Sequence, residues 1–280
     1  MAALVAVVLW AAAFVGIRAA GRSFSPGALA FGRLTIGTLL LGVLTFSRTV
    51  VKPTRRELVL LIVAGLLWFG IYNIVLNDAE RRVDAGTAAM LVLLAPIFVI
   101  GLAAVFLKER TTPNLLLGSA IAFAGVVVIG FATSTGNTSL AGVVLCLVAA
   151  LVSAIGLVAE KPALVRISAL QATWICCAVG ALFCAPYAPL LLRELRAAPA
   201  SGTAWLVFLG VFPTSIAFTA WAYALARGSA GRVVATAYLV PPLTIVMGWL
   251  LLGELPPGIA VLGGALCLVG VYIARKGPAS

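Results

Sequence analysis

The stretch AGTAAMLVLLAPIFVIGLAAVFLKER, residues 85–110, recurs 145 residues later as AGRVVATAYLVPPLTIVMGWLLLGEL, residues 230–255. Sliding the chain by that amount without a gap also sets Gly65 on Gly210, Ala79 on Ala224, Gly118 on Gly263 and Gly125 on Gly270, with 16 identities in the 62 positions from 65 to 126. A composition this biased gives about one identity in ten by chance. The matches include Pro96 on Pro241 and Glu109 on Glu254, residue types that shared hydrophobicity alone does not align. The chain therefore reads as a tandem duplication, with halves at 1–135 and 139–275.

Both copies are long apolar runs. Of the 280 residues, 63% are apolar and 10% charged, against roughly a quarter charged in soluble domains. A run of about 20 apolar residues satisfies its backbone in lipid only as a helix, and the alternation of barrel strands is absent. Ten spans follow: Ala2 to Ile17, Gly27 to Phe46, Leu58 to Asn77, Ala85 to Leu107 and Asn114 to Ala132, then Leu140 to Ala159, Ala169 to Leu192, Ala204 to Ala226, Val233 to Leu252 and Gly258 to Ala274. The first lacks the basic leader of a signal peptide and reads as a span. Five spans per half is an odd number, so the second copy crosses the bilayer in the opposite sense. The fold class is an all-α integral membrane protein of ten transmembrane helices in two inverted five-helix repeats.

The net charge of +11 sits in the short gaps between runs, where it reports topology. With the N-terminus cytoplasmic, the inside loops hold twelve Lys and Arg and the outside loops six, which places both termini in the cytoplasm and the chain in the plasma (inner) membrane as a multi-pass protein. Nucleic-acid partners are not expected, because no basic face with interleaved aromatics is present. The five cysteines show no ligand spacing and histidine is absent. No metal and no cofactor are expected.

Several residues carry a family likeness. LWAAAF from Leu9 to Phe14, the arginine of FGRLTIG, the AG opening and mid-span proline of spans four and nine, and the paired elements Glu109 with Gly118 and Glu254 with Gly263 resemble the drug/metabolite transporter superfamily, in its EamA branch. The resemblance covers the whole chain. It implies a permease or exporter of small metabolites such as amino acids, and an association of each half's last helix with assembly contacts, so a homodimer.

Arg33 is the charged residue inside an otherwise apolar span, where a charge costs about 2.5 to 3.5 kcal/mol on insertion scales. It either binds an anionic group, pairs with another helix, or snorkels to the outer interface. Pro96 and Pro241 interrupt equivalent spans, a pattern that points to a midplane cavity or to static packing kinks. Trp10, Tyr72, Asn73, Asn77, Trp221 and Tyr238 are polar or amphipathic groups that a water-filled path supplies with partners, or anchors at the interface. Glu109 and Glu254 precede helices and complement their N-termini. Asp78, Glu80 and Asp84 with Arg81 and Arg82 read as a solvated cluster. The glycines at 118, 125, 263 and 270 line helix faces that pack within the fold or between copies.

The expected function is a secondary transporter of a small organic solute by alternating access. The alternatives are a membrane-embedded enzyme, for which no histidine or intramembrane acid is available, and a channel, for which no polar ring is evident.

Overall fold

The computed structural model describes residues 1–79, 81–83, 85–134, 136, 139–252 and 257–276. Among them the chain is helical. In order the α-helices are α1 (Ala2–Ala20), α2 (Pro26–Phe46), α3 (Arg55–Ala64), α4 (Tyr72–Ala79), α5 (Ala85–Val92), α6 (Ala95–Phe106), α7 (Pro113–Thr133) and α8 (Leu140–Glu160). There follow α9 (Ala169–Cys184), α10 (Ala188–Ala197), α11 (Ala200–Leu209), α12 (Phe218–Arg227), α13 (Ala230–Ala235), α14 (Val240–Leu252) and α15 (Gly258–Arg275). Starts are signalled locally. Thr54 and Glu57 form a reciprocal capping box on α3, and the Thr112, Ser139 and Ser168 hydroxyls accept the first free amides of α7, α8 and α9, which would otherwise be unpaired.

Among the described residues, eight helical stretches are long and apolar enough to cross a membrane, and Ala2–Ile17 and Met90–Phe106 are shorter apolar helices. Their outward faces carry large apolar side chains open to the surroundings, such as Val43 at 72%, Phe131 at 73% and Leu182 at 77% exposure. Apolar surface on every side calls for lipid rather than water.

Several stretches read as plain spans are interrupted. A π-helical segment, Gly65–Ile71, joins α3 to α4, and a second, Gly210–Ala217, joins α11 to α12; their starts are 145 residues apart. The wide turn admits Pro213, whose equivalent position in the first copy is Trp68. The stretch from 85 to 107 breaks at residues 93–94, so Pro96 stands in the first turn of α6, and a 3₁₀ turn, Thr236–Leu239, precedes α14, placing Pro241 likewise. The chain is therefore cut just before each proline. A proline in a first turn removes no helical hydrogen bond.

Side-chain and main-chain bonds sort the connections onto two faces. On one, Asn77 Nδ2 donates to Pro26 O, Ser25 N to Glu194 Oε2, and Ser139 N to Arg82 O. On the other, Val51 N donates to Gln171 Oε1, Arg166 pairs with Glu57, and Lys161 with Glu109. Helices α7 and α15 form the tightest seam. A Cβ on Gly118 would meet Gly270 O at 2.5 Å and one on Gly125 would meet Gly263 O at 2.5 Å. Early residues of one helix face late residues of the other, so the pair is antiparallel. The two glycine faces that left packing and dimerisation open in the sequence are turned toward each other within one chain.

Candidate functional site

A cavity of about 430 Å³ lies inside the bundle. Its rim is formed near the first face by Ile17, Asn77, Ala88, Thr133 and Pro257, and it ends on a floor of Trp10, Trp68, Phe218 and Trp221. The floor rings interlock: Trp10 lies 4.8 Å from Trp221 and 5.3 Å from Phe218 between centroids, and Trp68 lies 5.0 Å from Phe218 in an edge-to-face contact. Such pairs hold a fixed geometry and offer apolar surface to a ligand. Trp10 and Trp68 come from the first half of the chain, Phe218 and Trp221 from the second.

The polar groups on the wall are few and held in place. Arg33 is 6% exposed, so it does not snorkel. Its Nε donates to Thr214 Oγ1 at 2.9 Å, and the Thr214 hydroxyl donates to Leu209 O at 2.7 Å, five residues back along the π-helical segment. The wide turn thus turns a threonine into the support for a buried guanidinium. Asn73 and Asn77, also buried, donate through Nδ2 to Phe69 O and Pro26 O. Tyr72, Pro96 and Pro241 complete the set of expected residues that reach the wall. Among the described wall residues Arg33 is the one charged side chain. No described group of three or more Cys, Asp or Glu is placed to hold a metal.

Tyr238 does not reach the cavity. It is fully buried on the 3₁₀ turn, 6.3 Å from the Phe123 ring of α7, because the turn directs it toward the α7–α15 seam. Trp68 and Phe218 were not anticipated. An aromatic residue within an apolar run looks the same whether it faces lipid or a cavity, and only the repeated Gly65 and Gly210 marked the π-helical segments that aim them. Glu160 lies one residue beyond the span read as Leu140 to Ala159. It ends α8 at 1% exposure, on the same helix stripe as the wall residues Ser153 and Leu157.

The opposite face is closed by a clasp. Glu109 pairs with the Lys161 ammonium and accepts from Ala230 N, while Lys161 also donates to Gly228 O. Glu109 therefore serves a helix start, as its sequence position suggested, but that of α13 rather than the helix following it, which Thr112 caps. Glu254, Glu80 and Asp84 lie outside the described residues. Arg82 and Asp78 form an exposed i,i+4 pair at 3.1 Å. A Glu109→Gln variant removes the charge from three connections at once, and a charged hydrogen bond is worth about 1.5–3 kcal/mol. Hydrogen exchange across residues 228–235 is expected to quicken roughly tenfold or more in that variant and to stay unchanged in Asp78→Asn; equal rates in both would show the clasp to be idle.

A multi-helix membrane protein with a cavity open toward one face, an aromatic floor and one buried cation on its described wall has the architecture of a small-molecule carrier. Residues 1–131 and 140–275 each match the model of the EamA-like transporter family, and the chain belongs to that family. It is 37% identical over 98% of its length, and 92% of the relative's, to a probable terminal-alkyne amino-acid exporter of Streptantibioticus cattleyicolor. It is 34% identical over 94% of its length, and 86% of the relative's, to the transporter YdfC of Bacillus subtilis. A probable amino-acid metabolite efflux pump of Salmonella typhimurium is 28% identical over 97% of this chain and 92% of its own. A solved crystal structure shares the fold with a TM-score of 0.80 at 21% identity, over 98% of this chain and 95% of the other. The protein is accordingly a multi-pass membrane transporter of small molecules, not an enzyme.

Proposed function

We propose that this transporter exports amino acids or their derivatives with apolar side chains by alternating access, from the cytoplasm across the inner membrane. The observation that carries the reading is the pairing of one buried guanidinium with an aromatic floor on the wall of a single cavity. A carboxylate fits the first and an apolar side chain the second. The names of the relatives from Streptantibioticus cattleyicolor and Salmonella typhimurium point to the same cargo class.

The architecture we assign is ten spans in two inverted repeats, 1–135 and 139–275. The antiparallel run of the equivalent helices α7 and α15 speaks for inversion, since Gly118 meets Gly270, the counterpart of Gly125, and Gly125 meets Gly263, the counterpart of Gly118. The face closed by Glu109 and Lys161 belongs to the loops with twelve basic residues against six, and is taken as cytoplasmic, with both termini there. The cavity then opens outward in this conformation.

The test is uptake by purified protein in proteoliposomes, screened over apolar amino acids, purines and cationic drugs with and without an imposed pH gradient. Apolar amino acids are expected to be carried and cationic drugs refused, because the wall offers a positive charge and no described carboxylate. Transport of the cationic drugs with none of the amino acids would overturn the reading.

A further inference from the structure

We propose that Asn73 and Asn77 recognise the ammonium group of the cargo, an inference that rests on the amino-acid reading above. The two stand four residues apart on α4, so they occupy one face of it a turn apart. Both are buried, at 4% and 7% exposure, and both belong to the cavity wall. Each amide is pinned by its nitrogen: Asn73 Nδ2 donates to Phe69 O at 2.7 Å, and Asn77 Nδ2 to Pro26 O at 3.1 Å. A main-chain carbonyl can only accept, so these partners decide which end of each amide is nitrogen. The two Oδ1 atoms are left as acceptors, and no described residue donates to either.

The wall thus pairs donors with acceptors. Arg33 on α2 presents a donor-only guanidinium, and α4 presents two amide oxygens; the hydroxyls of Thr133, Ser153 and Thr244, also on the wall, are each turned to a carbonyl of their own helix. Helices α2 and α4 pack against each other, with the end of α4 bonded to the first residue of α2. An ammonium has three N–H donors and needs acceptors once it leaves water. The Asn73 and Asn77 oxygens supply two of them, while Arg33 takes the carboxylate at the other end of a zwitterion and the side chain lies over the rings. The pinned amides matter because a free amide could turn its NH₂ inward and accept nothing. A cargo without the amine would leave both oxygens unpaired once the cavity closes over it, which is how a polar site rejects an analogue that lacks one group.

The test uses proteoliposomes and tritiated propargylglycine, a terminal-alkyne amino acid, with two unlabelled competitors derived from it by deletion. Pent-4-ynoic acid lacks the amine, and but-3-ynylamine lacks the carboxylate. For the wild type, pent-4-ynoic acid is expected to compete roughly tenfold or more weakly than unlabelled propargylglycine. In Asn77→Leu and Asn73→Leu the KM for propargylglycine is expected to rise by about the same factor with little change in maximal rate, while the inhibition constant of pent-4-ynoic acid does not rise, since the leucine leaves no oxygen there to go unpaired. But-3-ynylamine brings a cation with no carboxylate to offset Arg33, so it is expected to compete more weakly than propargylglycine in the wild type and to lose the remainder in the same variants. A merely structural role would move all three ligands together, and that result would overturn the proposal. So would a wild type that accepts the acid as readily as the amino acid, an outcome that leaves the exporter reading standing and needs no variant to fold. A wild type that takes up no propargylglycine and no other amino acid fails at the earlier step, and the ammonium site falls with the reading it rests on.

Discussion

A Gly270→Val variant is expected to lose its folded state. A Cβ at position 270 would sit 2.3 Å from Ala122 N and 2.6 Å from Gly118 O, far inside the 3.5–4.0 Å at which heavy atoms attract. Both contacts are backbone of a neighbouring helix, so no rotamer change relieves them. Helices α7 and α15 would have to part, losing the close approach that drives helix association in lipid. Overpacking a core usually costs about 1–3 kcal/mol, and a clash against backbone with two further methyl groups belongs at or above the top of that range. Thermal midpoints by size-exclusion chromatography in detergent check it. Gly101→Ala is the control, because a Cβ there meets nothing within 4 Å. A Gly270→Val protein that elutes and melts like the wild type would mean that α7 and α15 do not touch as described.

Replacing Arg33 by Ala is expected to cut exchange of apolar amino acids at least about a hundredfold, with the protein still folded in the membrane. The size follows from losing a two-pronged charged contact to a carboxylate, roughly 3 kcal/mol at about 1.4 kcal/mol per factor of ten. Folding should be spared, since the change takes a charge out of an apolar interior. Arg33→Lys keeps the charge but not the fork, and is expected to fall between the two. Undiminished exchange by Arg33→Ala at matched protein levels would remove Arg33 from the site.

Much of this was legible in the sequence because lipid imposes one rule on every span. Trp10, Arg33, Asn73, Asn77 and Trp221 were picked out as groups that need partners, and they meet on one wall. What escaped has physical causes. Trp68 and Phe218 are apolar among apolar neighbours, and a cavity floor demands no polarity that would mark them. The second π-helical segment carries side-chain bonds five residues back, from Thr214 to Leu209 O and from Ser215 to Gly210 O, which no spacing rule announces. Glu109 reaches Ala230, 121 residues away, and such a contact exists only once the chain is folded. Tyr238 misled for the opposite reason: it is polar and deep in the fold, but the 3₁₀ turn before α14 points it at α7.

Arg33, the one charged group on the described wall, also bears on how the membrane potential acts on the carrier. A unit charge moved across 100 mV changes in energy by about 2.3 kcal/mol. A zwitterion brings no net charge, so the loaded and the empty cavity each carry the same single guanidinium through the field, and voltage drives neither half of the cycle over the other on the cargo's account. A simple anion would cancel that charge and make the loaded step the electrically silent one.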